Sequence, residues 1–422
     1  MIQRLNLTLT KPGVFVDRQK TEFFFLNLGH FFDHLFMLVF ATVAALSLAR
    51  EWGMSYAELI PYATPGFVAF GLCALPAGWL ADKWSRQGMM VIFFIGIGLS
   101  SMLTSLAQTP WQLSIGLFLI GAFAAIYHPV GLALVVQGRE KTGHALAVNG
   151  VFGNMGVACA ALVTGFLIDT VGWKSGFVIP GLISIAAGIA YWYLLVRENV
   201  NVESTAAAAE KQKAGVIAKP PEMSRQILKR IFFVIFFSTA VGGLVFQSTT
   251  FALPKVLEER LVDITQSATV IGWYAFLVFA LAAFAQLVVG YLVDRFSVRM
   301  VFAGVAGLQI TFFAIMTQVS GMAAVIVAVA FMLAAFGQIP INDVLIGRVT
   351  KSEWRSRVYA ARYVVTFSVM ASSVPLIAWL HAGWGFDLLF QVLAIAACFI
   401  FAAVLTLPVT QVITGKTVEE TA

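Results

Sequence analysis

Charged residues are scarce in this sequence. Asp, Glu, Lys and Arg together make up 11% of its 422 residues, whereas a soluble domain carries about 25%. Apolar residues account for 60% of the chain, and the mean hydropathy is +0.88. A water-soluble fold of this length would have too few charged side chains to cover its surface. The composition therefore predicts an integral membrane protein.

Cysteine is scarce as well, and the loops lack the motifs of common enzymes. The three cysteines, Cys73, Cys159 and Cys398, lie inside apolar runs, where small apolar packing is the expected role. No phosphate-binding glycine loop, Gly-x-Ser-x-Gly or His-Glu-x-x-His pattern occurs. We therefore expect no enzyme and no cofactor. No polar segment is long enough to form a nucleotide-binding domain, which argues against an ATP-driven pump.

The net charge of +6 does not indicate a nucleic-acid partner, because the basic residues lie in short loops rather than on one face. Of the 27 Lys and Arg residues, 22 fall on the side of both termini and 4 on the opposite side. Basic residues accumulate on the cytoplasmic side of membrane proteins. We therefore expect both termini in the cytoplasm and a multi-pass protein of the bacterial inner (plasma) membrane.

Apolar runs of bilayer length, about 20 residues each, are abundant. We predict an all-α membrane protein with twelve transmembrane helices, at residues 22–48, 58–81, 88–107, 111–137, 143–170, 173–197, 230–253, 267–293, 298–319, 322–349, 356–381 and 384–409. The corresponding regions are a cytoplasmic tail (1–21), a six-helix bundle (22–197), a cytoplasmic linker (198–229), a second six-helix bundle (230–409) and a cytoplasmic tail (410–422).

A nine-residue motif after the second predicted span recurs in the other half. Gly-Trp-Leu-Ala-Asp-Lys-Trp-Ser-Arg at 78–86 returns as Gly-Tyr-Leu-Val-Asp-Arg-Phe-Ser-Val-Arg at 290–299, an offset of 212 at the glycines. Pro129 and Pro340 repeat at 211. One six-helix unit therefore occurs twice in parallel. The motif resembles the signature loop of the major facilitator superfamily, which implies two halves that transport a solute by alternating access.

The charged and glycine positions of this motif are the predicted gating residues. Gly78 and Gly290 would allow close helix contact, and Asp82 and Asp294 would pair with basic residues or a helix N-terminus. Such a latch holds in one state and breaks in the other. The alternative is a simple topology signal with solvated charges. The gating set is Gly78, Asp82, Arg86, Gly290, Asp294 and Arg299.

The first span carries an unusual polar load. Asn27, His30 and His34 form one stripe at helical spacing, and Asp33 lies beside His30 near the middle of the span. A charged residue there costs about 2.5–3.5 kcal/mol on insertion scales. A carboxylate beside imidazoles suits proton binding, and the alternative is a packing network. The predicted proton-coupling residues are His30, Asp33, His34 and Asp343.

Polar residues also occur in later spans, some beside prolines that bend a helix. Asp343 and Arg362 lie at similar depth on adjacent spans, nine residues before and ten after Ser352, and are predicted to pair. The pair can act as a static strut or as a substrate-sensitive switch. The predicted substrate-binding residues are Asn27, His30, Asp33, Tyr127, His128, Gln247, Gln338, Asn342, Asp343, Arg362 and Tyr363.

Two segments resemble a narrower group. Leu-Gly-His-Phe-Phe-Asp at 28–33 and Tyr-His-Pro at 127–129 are similar to segments of fosmidomycin-resistance-like members, although Val130 replaces their usual acidic residue. The glycines of the fifth span partly resemble the drug–proton antiporter motif without its proline, which mildly favours export.

We expect a monomer in the lipid bilayer that moves a small organic solute or drug coupled to protons. The alternative is a transporter of a transition metal or metal chelate bound at His30, Asp33, His34 and His128.

Overall fold

The structure is a computed structural model that describes residues 18–137, 139, 142–197, 224–350 and 352–408. Residues 1–17, 198–223 and 409–422 lie outside the described residues. They include most of the predicted N-terminal tail (1–21), most of the predicted linker (198–229) and all of the predicted C-terminal tail (410–422). Within the described ranges every regular element is a helix and none is a strand. The all-α prediction is confirmed for this part of the chain.

Eleven helices of the described part are long and apolar enough to cross a membrane. They are α1 (Gln19–Glu51), α2 (Tyr56–Lys83), α3 (Arg86–Thr104), α4 (Pro110–Val136), α5 (Thr142–Thr170), α6 (Ser175–Arg197), α7 (Arg225–Arg260), α8 (Ala268–Arg295), α9 (Val298–Met316), α10 (Gly321–Val349) and α11 (Ser352–Leu405, of which Ala361–Leu405 is the apolar part). Two of them contain a π-helical turn, Ala44–Leu48 in α1 and Tyr127–Gly131 in α4.

The last helix covers both of the final predicted spans. It has 54 residues, which is about 80 Å at 1.5 Å per residue and more than twice the thickness of a bilayer core. Gly385, with φ 70° and ψ −167°, is not helical and divides α11 into two helices. The break lies next to residue 384, the predicted start of the twelfth span. Eleven apolar segments are therefore present in the described part, and twelve crossings stay a prediction.

Serine and threonine N-caps begin many of these helices. Ser55 and Glu58 form a capping box at α2, and the Ser85 side chain accepts the Gly88 N–H at α3. The same device recurs 212 residues later, where Ser267 caps α8 and Ser297 caps α9. Each cap satisfies a backbone N–H that the first helical turn leaves unpaired. The repeat seen in the sequence therefore includes the signals that start the helices.

The helix pairs that join the first six helices to the rest include α5 with α8, α2 with α11, and α1 with α7. Backbones touch where α5 crosses its neighbours. A Cβ added to Gly156 would lie 2.1 Å from the Phe31 carbonyl oxygen of α1, and one added to Gly165 would lie 2.3 Å from the Ala268 carbonyl oxygen of α8. Only glycine permits these contacts. The central helix α1, with α4 and α5 against it, carries the candidate site.

Candidate functional site

His30 lies near the middle of α1, and its ring orientation is determined by α5. His30 Nδ1 lies 2.8 Å from the backbone carbonyl oxygen of Asn149, so Nδ1 carries the donated hydrogen and Nε2 holds a lone pair in the neutral ring. His34 Nε2 lies 3.2 Å from His30 Nε2, one turn further along α1. The His30 ring also stacks on the Tyr127 ring, with centroids 4.8 Å apart. The two histidines predicted on one stripe therefore face each other.

Asp33 is fully buried and lies against α4. His128 Nε2 is 3.2 Å from Asp33 Oδ2, within ion-pair distance. No well-directed hydrogen bond from a described residue reaches either Asp33 carboxylate oxygen. His128 occupies the π-helical turn Tyr127–Gly131, which includes Pro129, a residue that cannot donate to the helix ladder. The turn brings His128 to α1, so Asp33 faces an imidazole inside the helix bundle.

Asn27, Tyr127 and Asn149 form a satisfied network one turn below this cluster. The Asn149 amide donates to Asn27 Oδ1 at 2.9 Å, and the Tyr127 hydroxyl donates to the Leu26 carbonyl oxygen at 2.8 Å. All three side chains are buried. Their hydrogen bonds join α1, α4 and α5, which is a packing role. These bonds hold Asn27 and Tyr127 beside the histidines, and their contact with substrate stays a prediction.

An aromatic wall, defined as Phe70, Phe367 and Tyr363, extends from the imidazoles across the boundary between the halves. Phe70 of α2 lies 5.8 Å from His128 and 5.0 Å from Phe367 of α11, measured between ring centroids. Phe367 stacks on Tyr363 at 5.8 Å. Such edge-on and stacked pairs are favourable arrangements of aromatic rings. The wall connects the polar cluster of the first half with the part of α11 that carries Arg362.

Arg362 and Asp343 contact each other through Nη1 and Oδ1, as predicted from their spacing around the loop. The Arg362 side chain is 14% exposed and that of Asp343 is 45% exposed. Tyr359 adds a hydrogen bond from its hydroxyl to the Asp343 carbonyl oxygen at 3.1 Å. The contact is present, and its role as a strut or a switch stays a prediction.

Most of the other predicted amides of the second half have hydrogen-bond partners. Gln338 donates to the Ser238 carbonyl oxygen at 3.1 Å and accepts from Gln309 Nε2 at 2.9 Å. Ser238 donates to Asn342 Oδ1 at 2.9 Å. These bonds tie α7, α9 and α10 together. Gln247 is buried, and its Nε2 has no partner among the described residues, which keeps it a candidate for solute contact. The sequence reasoning missed Gln309, whose one signal was an amide inside an apolar run.

The predicted gating residues form contacts within their own halves. Arg86 bonds Asp82 at 2.8 Å on the loop between α2 and α3, and Arg348 bonds Asp294 at 3.3 Å at the ends of α10 and α8. Arg299 donates to the Leu407 carbonyl oxygen. The glycines differ: a Cβ at Gly78 would meet Pro129 at 3.3 Å, whereas no described residue lies within 4 Å of a Cβ at Gly290. A close helix contact is therefore present at Gly78, and the gating role of both glycines stays a prediction.

Hydrogen bonds between the halves are found at the opposite end, away from the motif loops. Asp169, at the end of α5, accepts bonds from Ser267 Oγ at 2.7 Å, from Thr269 N–H at 2.8 Å and from Ala268 N–H at 3.3 Å. The carboxylate therefore caps the N-terminus of α8, where the helix dipole favours a negative charge. The sequence reasoning missed Asp169 because it was counted as the end of a span.

A sequence model of the Major Facilitator Superfamily matches residues 26–262 and 256–421. The chain belongs to this superfamily. Its members are transporters rather than enzymes, which agrees with the sequence-based expectation. The chain is a multi-pass integral membrane protein, and its bacterial relatives indicate the inner membrane.

Two bacterial relatives and one solved structure illustrate the likeness. The gallate transporter of Pseudomonas putida is 25% identical over 410 residues, covering 89% of this chain and 88% of that protein. The 4-hydroxybenzoate transporter PcaK of Pseudomonas aeruginosa is 25% identical over 279 residues, covering 60% and 61%. The crystal structure of a POT family transporter in complex with 5-aminolevulinic acid has a TM-score of 0.71 at 13% identity, covering 92% of this chain and 95% of that one. The last comparison supports the fold alone.

Proposed function

We propose that this superfamily member is a secondary transporter that moves a small aromatic carboxylate by alternating access, coupled to protons. The burial of the Asp33 carboxylate supports the coupling to protons. Asp33 is fully buried in the middle of α1, with His128 at 3.2 Å and no well-directed hydrogen bond from a described residue. A carboxylate inside the membrane costs free energy unless it takes up a proton or pairs with another group during the transport cycle.

The solute class is supported by the chemistry beside Asp33. The aromatic wall gives a flat ring a surface on which to stack, and Arg362 offers a guanidinium whose fork geometry matches a carboxylate. Arg362 is engaged by Asp343 in this structure, so an incoming carboxylate competes with Asp343 for it. The gallate and 4-hydroxybenzoate transporters among the relatives support the same class.

The glycines of α5, from which export was predicted, have a packing role. Three of these make close contacts: Gly153 beside His30, Gly156 beside Phe31 and Gly165 beside Ala268. Helix packing therefore accounts for these positions without an antiporter function, and the driving gradient decides the direction.

Reconstituted protein tests the coupling. Asp33→Asn should abolish accumulation of radiolabelled 4-hydroxybenzoate driven by a pH gradient, because the amide takes up no proton. Exchange of labelled for unlabelled solute across the same vesicles should persist, since exchange needs no net proton movement. Asp263→Asn is the matched control, because Asp263 is an exposed carboxylate in the loop between α7 and α8. Full gradient-driven accumulation by Asp33→Asn would overturn the assignment.

A further inference from the structure

We infer that His30, His34 and His128 form a resident site for one transition-metal dication that ties α1 to α4. The metal-accepting nitrogens of these three side chains all lie within 4.8 Å of one another. His30 is buried and the other two are partly buried. The inference concerns the histidines alone and does not depend on the identity of the organic solute.

The spacing of the first two ligands fits a metal ion. A zinc ion with Zn–N bonds of about 2.0–2.1 Å in a tetrahedral site separates its ligand nitrogens by about 3.3 Å. His30 Nε2 and His34 Nε2 are 3.2 Å apart. The ligand nitrogens of the three histidines lie at most 4.8 Å apart. A side-chain shift of about 1.5 Å would bring that separation to the value of about 3.3 Å in a tetrahedral zinc site. Two of the three ligands therefore need almost no rearrangement.

The surroundings of the His30 and His128 rings resemble those of metal-bound histidines. Such a histidine usually donates its second ring N–H to a carbonyl or carboxylate, which orients the ring and fixes its tautomer. His30 Nδ1 lies 2.8 Å from the Asn149 carbonyl oxygen, which leaves Nε2 with a lone pair. His128 Nε2 lies 3.2 Å from Asp33, and its Nδ1 is buried without a hydrogen-bond partner among the described residues. Both rings thus have an orienting oxygen on one side and a nitrogen left over.

The donor set selects the class of ion. Three imidazoles suit zinc, nickel, cobalt or copper, whereas magnesium and calcium prefer oxygen ligands. In its deprotonated form, Asp33 offsets part of the charge of a dication placed in this interior. A transition-metal dication therefore matches both the ligands and the local charge.

The location argues for a resident ion rather than a transported one. All three ligands lie on α1 and α4, both within the first six helices. In transporters built from two repeats, one half moves largely as a body against the other. This motion leaves the three histidines together, whereas a cargo site formed by both halves loses ligands when the halves separate. A metal held here would therefore not be released by alternating access.

Titration of the purified protein, prepared without a polyhistidine tag, tests the site. Zinc and nickel chloride should bind at one ion per chain and raise the melting temperature, since a ligand specific for the folded state stabilises it. Magnesium chloride should do neither. His34→Gln and His128→Gln should each raise the Kd for zinc about 100-fold or more. His144→Gln, which changes an exposed histidine at the start of α5, should bind as the unmodified chain does.

Cobalt and vesicles supply readouts that do not depend on stability. Cobalt bound by three imidazoles should give visible absorption bands, and these should vanish in both glutamine variants. Wild-type zinc affinity in His34→Gln and His128→Gln, with each variant monodisperse and cooperatively unfolding, would refute the site. Proteoliposomes should not accumulate radioactive zinc above empty vesicles. Accumulation would make the ion a cargo and overturn the resident role, independently of any result with 4-hydroxybenzoate.

Discussion

At the scale of single residues, Arg362 and Asp343 offer a direct test of a switch. Each single alanine substitution leaves one charged partner without the other, and the double substitution removes both. The double-mutant cycle should therefore give a coupling energy of about 0.5–3 kcal/mol in detergent unfolding. Saturating 4-hydroxybenzoate should lower this coupling, because the solute carboxylate replaces Asp343 on the guanidinium.

A second cycle controls for non-specific effects. It combines Arg362→Ala with Asp263→Ala, an exposed residue of the α7–α8 loop, and should be additive. Additivity in the Arg362–Asp343 cycle itself would contradict the contact. A coupling energy that the solute leaves unchanged would make the pair a static strut.

Gly153 supports the candidate site from α5. A Cβ at this position would lie 2.6 Å from His30 Nε2, and the ring cannot move away without losing its bond to Asn149 and its stacking on Tyr127. Gly153→Ala should therefore lower the free energy of unfolding by about 1–3 kcal/mol and weaken solute binding at the candidate site. Gly150→Ala, one turn away with no described residue within 4 Å of its added Cβ, should behave as the parent chain does in thermal unfolding and solute binding. Equal effects of the two substitutions would contradict the contact with His30.

The residues of the site differ in how well the sequence could reveal them. Asp33, Asp343 and Arg362 stand out because a charge inside an apolar run is costly, and their positions relative to the loop were enough to predict the pair. Asn149 was not among the predicted site residues. Its backbone oxygen orients His30, and a backbone partner cannot be predicted before the crossing of α1 and α5 is known.

At the scale of helices, Asp169 joins α5 to α8 across the two halves. Asp169→Ala removes the acceptor of four backbone or hydroxyl donors at the start of α8. Loss of such a cap costs about 0.5–2 kcal/mol. Because the cap exists in the state in which this end is closed, its removal should shift the equilibrium toward the state in which this end is open.

Spin labels at Val171 and Val262, exposed positions in different halves, can measure this shift by their distance distribution. Asp169→Ala should increase the population of long distances. Thr170→Ala is the matched control, since among the described residues the Thr170 hydroxyl bonds the Phe166 carbonyl oxygen of its own helix. An unchanged distribution in Asp169→Ala would show that the cap does not bias opening.

Helix positions were easier to predict than local departures from helical geometry. The bounds of α4, α5 and α10 differ from the predicted spans by one residue, because long apolar runs with polar ends leave little freedom in the bilayer. The π-helical turn at Tyr127–Gly131 left no signal except Pro129. Its geometry depends on packing against α1, which local sequence does not encode.

At the scale of the whole molecule, the two halves share a plan but divide the chemistry. Caps recur at an offset of 212 in Ser55 and Ser267, whereas the imidazole cluster belongs to the first half and the Arg362–Asp343 pair to the second. The aromatic wall passes between them. A solute that contacts both sides therefore senses both groups at once, which is how binding energy can be coupled to movement between the halves.

The repeat also predicts how often the chain crosses the membrane. Gly172, with φ 107°, forms the turn between α5 and α6, and Gly385, with φ 70°, breaks α11 at the corresponding place 213 residues later. If Gly385 is a turn between two crossings, the chain crosses twelve times and both termini lie on one side. If α11 crosses once, they lie on opposite sides.

Fusions at the C-terminus distinguish the two topologies. With twelve crossings, green fluorescent protein fused after Ala422 should fluoresce in bacterial cells, and alkaline phosphatase fused there should be inactive. A phosphatase fusion at Gly53, in the turn between α1 and α2, should be active as the control. An active phosphatase after Ala422 would give an odd number of crossings and refute the twelve-helix topology.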